Sequence, residues 1–101
     1  IKYNPPVLLL PPDGVTIASL QPYFSWEAVS GARSYNIQVS MNETFTALRV
    51  NTTVAAPRTS YTPYRALPAG IYLYWRVRVI GPYGPSDWSL VYKFIIRLEG
   101  E

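Results

Sequence analysis

Apolar residues along this chain recur at intervals of two. Between Ser34 and Ser40 the alternation has no fault: Tyr35, Ile37 and Val39 fall on one side, with Ser34, Asn36, Gln38 and Ser40 on the other. A longer run from Ile71 to Ile80 sets Leu73, Trp75, Val77 and Val79 against Tyr72, Tyr74, Arg76 and Arg78. Successive side chains of a strand point to opposite faces, so both segments are expected to be half-buried antiparallel strands. Shorter stretches are also expected as strands, some by looser alternation and the first as a plain apolar run. They are Val7 to Leu10, Pro22 to Glu27 with Phe24 and Trp26 on one face, Phe45 to Val54, Thr59 to Thr62 centred on Tyr61, and Trp88 to Arg97 with Tyr92, Phe94 and Ile96 aligned. No stretch has a helical period, and the chain has no internal repeat.

Turn chemistry separates these runs. Pro11-Pro12-Asp13-Gly14, Ser30-Gly31-Ala32, Met41-Asn42-Glu43-Thr44, Leu67-Pro68-Ala69-Gly70 and Gly81-Pro82-Tyr83-Gly84-Pro85 all carry residues that set or tolerate the dihedrals of a reversal. Seven or so short strands, with turns spaced roughly every 8–12 residues, predict an all-β sandwich. Its interior is expected to hold Phe24, Trp26, Tyr35, Ile37, Val39, Tyr61, Leu67, Leu73, Trp75, Val77, Val79, Phe94 and Ile96. Burying a large apolar side chain stabilises by roughly 1.5–3 kcal/mol, so a dozen of them can offset chain entropy without a metal or a disulfide. Val7 to Leu10, bracketed by double prolines, is expected at a sheet edge, where missing N–H donors do no harm. The sandwich is expected over residues 7–97, after a Pro-rich linker at 1–6 and before a tail at 98–101.

The ordered set of motifs resembles the fibronectin type III family, in the form common in large secreted and surface proteins of bacteria. The resemblance rests on the Pro-Asp-Gly turn, Phe24-Ser25-Trp26-Glu27, Gly31 to Tyr35 leading into Ile37 to Ser40, Phe45, Thr59 to Pro63, Leu67 to Gly70, Tyr74 to Arg78, Trp88-Ser89 and Phe94. It covers about residues 7–96 and implies a seven-stranded antiparallel, immunoglobulin-like sandwich. One position departs from the family pattern: Leu73 stands where a corner tyrosine is usual, two residues before Trp75. The Arg-Gly-Asp of the family's integrin-binding members is absent from the loop between Gly81 and Asp87.

Composition narrows the chemistry. The 101 residues are 49% apolar and 15% charged, which favours one globular domain over disorder. Neither His nor Cys is present, removing the commonest general base and the thiolate nucleophile and leaving the redox compartment open. The carboxylates Asp13, Glu27, Glu43, Asp87, Glu99 and Glu101 show no paired or metal-binding spacing, and no phosphate-binding glycine loop occurs. A non-enzyme without cofactor or metal is expected. A net charge of +3, with arginines scattered and no basic run, argues against nucleic acid. The four apolar residues from Val7 to Leu10 are far too few to insert in a membrane.

Candidate contact residues lie where the alternation turns polar. Tyr72, Tyr74, Arg76 and Arg78 project from the face opposite the core, Trp88 begins the strand beside them, and Tyr83 sits in the following loop. Arg76, Arg78 and Trp88 resemble half of the Arg–Trp stack of hemopoietic cytokine receptors, and either stacking or simple capping of the core suits Trp88. Aromatic faces of this kind can anchor a protein or a sugar ring, or merely pair across strands. Asn42 and Asn51 each begin an Asn-x-Thr glycosylation pattern. The expected role is a non-catalytic extracellular or cell-surface spacer in a larger protein, contacting neighbouring domains or copies of itself, with exchange of residues 1–10 as one route to a homopolymer. The alternatives are an adhesion module binding another surface protein or a polysaccharide through the Tyr/Arg face, and an accessory domain beside a glycosidase.

Overall fold

The computed structural model describes residues 3–98. Among them there are nine strands and no helix: β1 (Leu8–Leu10), β2 (Val15–Ile17), β3 (Phe24–Trp26), β4 (Ser34–Ser40), β5 (Leu48–Ala55), β6 (Ser60–Tyr61), β7 (Tyr72–Gly81), β8 (Gly84–Pro85) and β9 (Tyr92–Ile96). One sheet has the order β1-β3-β6; the other runs β2-β9-β7-β4-β5, with β8 folded onto the end of β7. Counting β1 and β2 as one interrupted strand, and β8 as an extension of β7, recovers the expected seven-stranded all-β sandwich.

The interruption follows from the chain's chemistry. Pro11 and Pro12 have no N–H to continue pairing with β3, and Gly14 takes a left-handed φ of 82°. The Asp13 carboxylate then accepts the Lys93 backbone N–H, and the Gly14 N–H donates to Lys93 O, which hands the strand to the second sheet. There β2 runs parallel to β9, pairing Val15 with Phe94 and Ile17 with Ile96. This parallel piece has no period-two signature long enough to be read in sequence.

The centre of the large sheet is β4 and β7, paired antiparallel from Ser34↔Ile80 to Ser40↔Tyr74. Their inward side chains Tyr35, Ile37, Val39, Leu73, Trp75, Val77 and Val79 are at most 1% exposed and meet Phe24, Trp26, Phe94 and Ile96 from both sheets. The aromatic contacts are tilted or edge-on: Phe24 to Trp75 at 5.0 Å, Phe24 to Phe94 at 5.7 Å and Trp26 to Tyr35 at 5.6 Å. Such geometries suit the ring quadrupoles and add about 0.5–1.5 kcal/mol per pair to the burial itself. With Leu73 fully buried, the hydroxyl that ties a loop comes from another strand: Tyr35 OH accepts the Val29 N–H at 3.0 Å.

Three expectations about facing are corrected. Tyr61, expected in the core, is half-buried because β6 has only two residues at the sheet edge. Asn36 and Ser40, expected on the solvent face of β4, are buried. Asn36 Nδ2 donates to Asn51 Oδ1 and Thr52 O, and Ser40 Oγ donates to Asn42 Oδ1, so neighbouring polar groups replace water. The core also gains Leu8, Val50 and Val54, while Phe45 and Ile95 are buried outside that cluster. Within the segment expected as a linker, Pro6 is buried, and Tyr3 packs where a Cβ on Gly81 would lie 2.5 Å from its ring. Residues 1–2 of that segment and 99–101 of the expected tail lie outside the described residues.

Candidate functional site

The outward face of β7 carries a ladder of aromatic and cationic side chains whose partners come from three other segments. Tyr72 is 45% exposed, whereas Tyr74, Arg76 and Arg78 are half-buried. The Arg76 guanidinium lies between two rings, its Cζ 4.0 Å from the centroid of Phe45 and 4.0 Å from that of Trp88. Arg78 approaches the same indole at 4.5 Å. Arg76 also donates from Nε and Nη2 to Gln38 Oε1, at 3.1 and 2.8 Å, directly across the Gln38↔Arg76 register of β4 and β7. Burial, and then the nearby charge of Arg78, hold the Arg76 guanidinium below its ordinary pKa range. Arg78 Nε is buried with no acceptor among the described residues.

Trp88 reaches this position through its serine neighbours. The last strand is expected from Trp88, but β9 begins only at Tyr92. β9 pairs with Tyr72 to Trp75 alone, leaving the upper edge of β7 to be satisfied otherwise. Ser89 N–H donates to Val77 O while its hydroxyl accepts the Val77 N–H at 3.0 Å; Ser86 does the same for Val79, its hydroxyl accepting at 2.9 Å. Each hydroxyl then donates to the next carbonyl, Asp87 O or Leu90 O. Two serines three residues apart thus stand in for a strand and lay Trp88 across Arg76 and Arg78. That three-residue serine spacing is the signal the sequence carries for this arrangement.

Phe45 arrives by a strained turn. Its φ of 56° lies in the left-handed region, which costs a non-glycine residue roughly 1–2 kcal/mol. The Asn42 side chain holds the turn: Oδ1 accepts the Thr46 N–H and the Ser40 hydroxyl, and Nδ2 donates to Thr46 Oγ1. The amide of this glycosylation candidate is therefore committed to the fold. The other candidate, Asn51, is exposed on β5 with Oδ1 accepting from Asn36 and Gln38.

Of the candidate contact residues, the structure gathers Tyr72, Tyr74, Arg76, Arg78 and Trp88 along one face. It places Tyr83, 70% exposed, in the β7–β8 turn at the opposite end of β7 from Tyr72. Phe45, Gln38, Ser86 and Ser89 belong to the same constellation and were not singled out from sequence. Lys93 Nζ lies 5.0 Å from the Tyr72 ring, beside a shallow groove lined by Asp13, Glu43, Tyr74, Val91 and Lys93. No group of three or more metal-ligating side chains occurs among the described residues, and none of them forms a helix long and apolar enough to cross a membrane. Chemically, the face offers π surfaces and cations already engaged with one another.

Comparison with known proteins places the fold. Residues 12–97 match the family model described as Rha78A-like, N-terminal immunoglobulin domain. The chain is similar in structure to an Fn3-like protein from Clostridium thermocellum, with a TM-score of 0.65 and 14% identity over 100% of this chain and 97% of that one. It is similar also to the sixth fibronectin type III domain of human fibronectin type III domain containing protein 3, with a TM-score of 0.67 and 16% identity over 100% of this chain and 89% of that one. A third likeness is to Streptomyces avermitilis alpha-L-rhamnosidase complexed with L-rhamnose, with a TM-score of 0.69 and 19% identity over 94% of this chain and only 10% of the enzyme. No curated protein matches the chain in sequence. The neighbours bear out a fibronectin type III-like sandwich.

Proposed function

This chain belongs to the Rha78A-like N-terminal immunoglobulin domain family, and on that premise we propose that it is a non-catalytic, extracellular structural module placed ahead of the catalytic part of a larger glycoside-cleaving protein. The carrying observation is the family match over residues 12–97, a domain defined by its N-terminal position. Likeness to a segment equal to 10% of a rhamnosidase supports a place within a larger glycoside-cleaving protein. The internal chemistry is in keeping with it. Ser40 apart, the side chains most shielded from water are hydrocarbon and aromatic, and the best-organised polar cluster, around Arg76, has its hydrogen bonds and π faces turned on the domain itself. An arrangement of this sort stiffens a β-sheet and leaves no poised acid or base.

Deleting the domain from the longer protein tests the reading. Turnover of a small soluble glycoside is expected to persist while the thermal midpoint or the yield of folded protein falls. Loss of kcat with the remaining protein still folded would count against a non-catalytic role, and retention of the protein in the cytosol would count against the extracellular one.

A further inference from the structure

A groove beside the junction of the two sheets has no charged side chain in its lining. It is lined by Leu10, Pro11, Pro12, Ile17, Pro22 and Tyr23, with Ser19 at one end, and holds about 250 Å³. Pro11 and Pro22 are buried and make its floor; Leu10, 46% exposed, and Tyr23, 56% exposed, stand at its rim. Three other surface grooves among the described residues contain arginine, or lysine with carboxylates. Leu9 and Val7, nearby in sequence, are also 44% and 54% exposed. Contiguous apolar surface rimmed by polar residues marks an interaction site, and depletion of charge is the signature of an interface centre.

The route of the chain says what lies against it. β2 and β9 run parallel and end together at Ile17↔Ile96, and the Arg97 N–H donates to Ile17 O at 2.9 Å. Ile17 and Ser19 line the groove, so the backbone leaves β9 directly beside it. A domain joined after this point is held next to the groove at high effective concentration, and a modest apolar contact suffices to dock it. We propose that this groove is the seat of the following domain of the same polypeptide, which inserts uncharged side chains between Leu10 and Tyr23. The proposal rests on the module reading above and names the surface through which the module acts.

The chain contains no cysteine, so Tyr23→Cys introduces a single thiol at the rim. Maleimide labelling of that thiol is followed by peptide mass spectrometry in the 101-residue chain and in the longer protein. Labelling is expected to be slower in the longer protein by about tenfold or more, the factor set by a docked state favoured by about 1.4 kcal/mol. Leu10→Asp, at an exposed rim position, is expected to restore fast labelling without unfolding either protein. Equal rates in the two proteins would overturn the docking proposal, and if deletion of the domain still spares turnover, the module reading survives that failure. Protection in the isolated chain that grows with its concentration would also overturn it, by showing that the occupant is a second copy.

Discussion

The two faces of β7 show how differently one strand can be held. On the inner face Leu73, Trp75, Val77 and Val79 are each 0% exposed, against residues of both sheets. On the outer face Tyr74, Arg76 and Arg78 keep partial contact with water, and the partners of Arg76 are specific: Gln38 across the sheet, Phe45 from a strained turn and Trp88 from a serine-tethered loop. The inner face is stabilised by removing area from water, a non-directional effect that accepts many residues of similar volume. The outer face depends on particular geometries, and each link is individually small.

The comparison yields an ordered set of expected effects. Trp75→Ala, which opens the middle of the inner face, is expected to cost roughly 3–5 kcal/mol and so to leave the domain unfolded or nearly so in urea titrations. Ser89→Ala strands the buried Val77 N–H and is expected to cost about 1–3 kcal/mol, with faster amide exchange at Val77 as its local signature. An unchanged exchange rate there would show that the serine bond is not what satisfies β7. Trp88→Ala combined with Arg76→Gln should be non-additive by about 0.5–1 kcal/mol, since each single change already removes the Arg76–Trp88 stack. Additive losses would reduce Trp88 to a cap on the sandwich. Tyr83→Ser, in an exposed turn, is expected to stay within about 0.5 kcal/mol of the parent chain.

The same contrast explains what was legible in sequence. Inner-face identities follow from alternation, because a face buried against a whole sheet must be apolar at every second residue; Leu73 to Val79 and Tyr35 to Val39 were readable for that reason. The outer face was readable only as a set of residues. Its pairing requires the register Gln38↔Arg76, the left-handed φ of Phe45 and the hydroxyl bonds of Ser86 and Ser89, none of which has a period. Parallel pairing of β2 with β9 was illegible on similar grounds, since three residues cannot establish an alternation. Asn36 and Ser40 looked solvent-facing because polarity usually means exposure; here Asn51, Thr52 and Asn42 supply their hydrogen bonds instead.

The central claim is a dry interior sealed by Trp26 and Trp75, with Trp88 alone among the three indoles on the outer face; these are 1% and 0% exposed and half-buried, respectively. Acrylamide quenching of tryptophan emission in the Trp88→Phe variant tests it directly. The two remaining indoles are expected to emit at short wavelength and resist quenching until the domain unfolds. Ready quenching of the folded variant would mean that water reaches the interior, and would contradict the packing on which both faces of β7 depend.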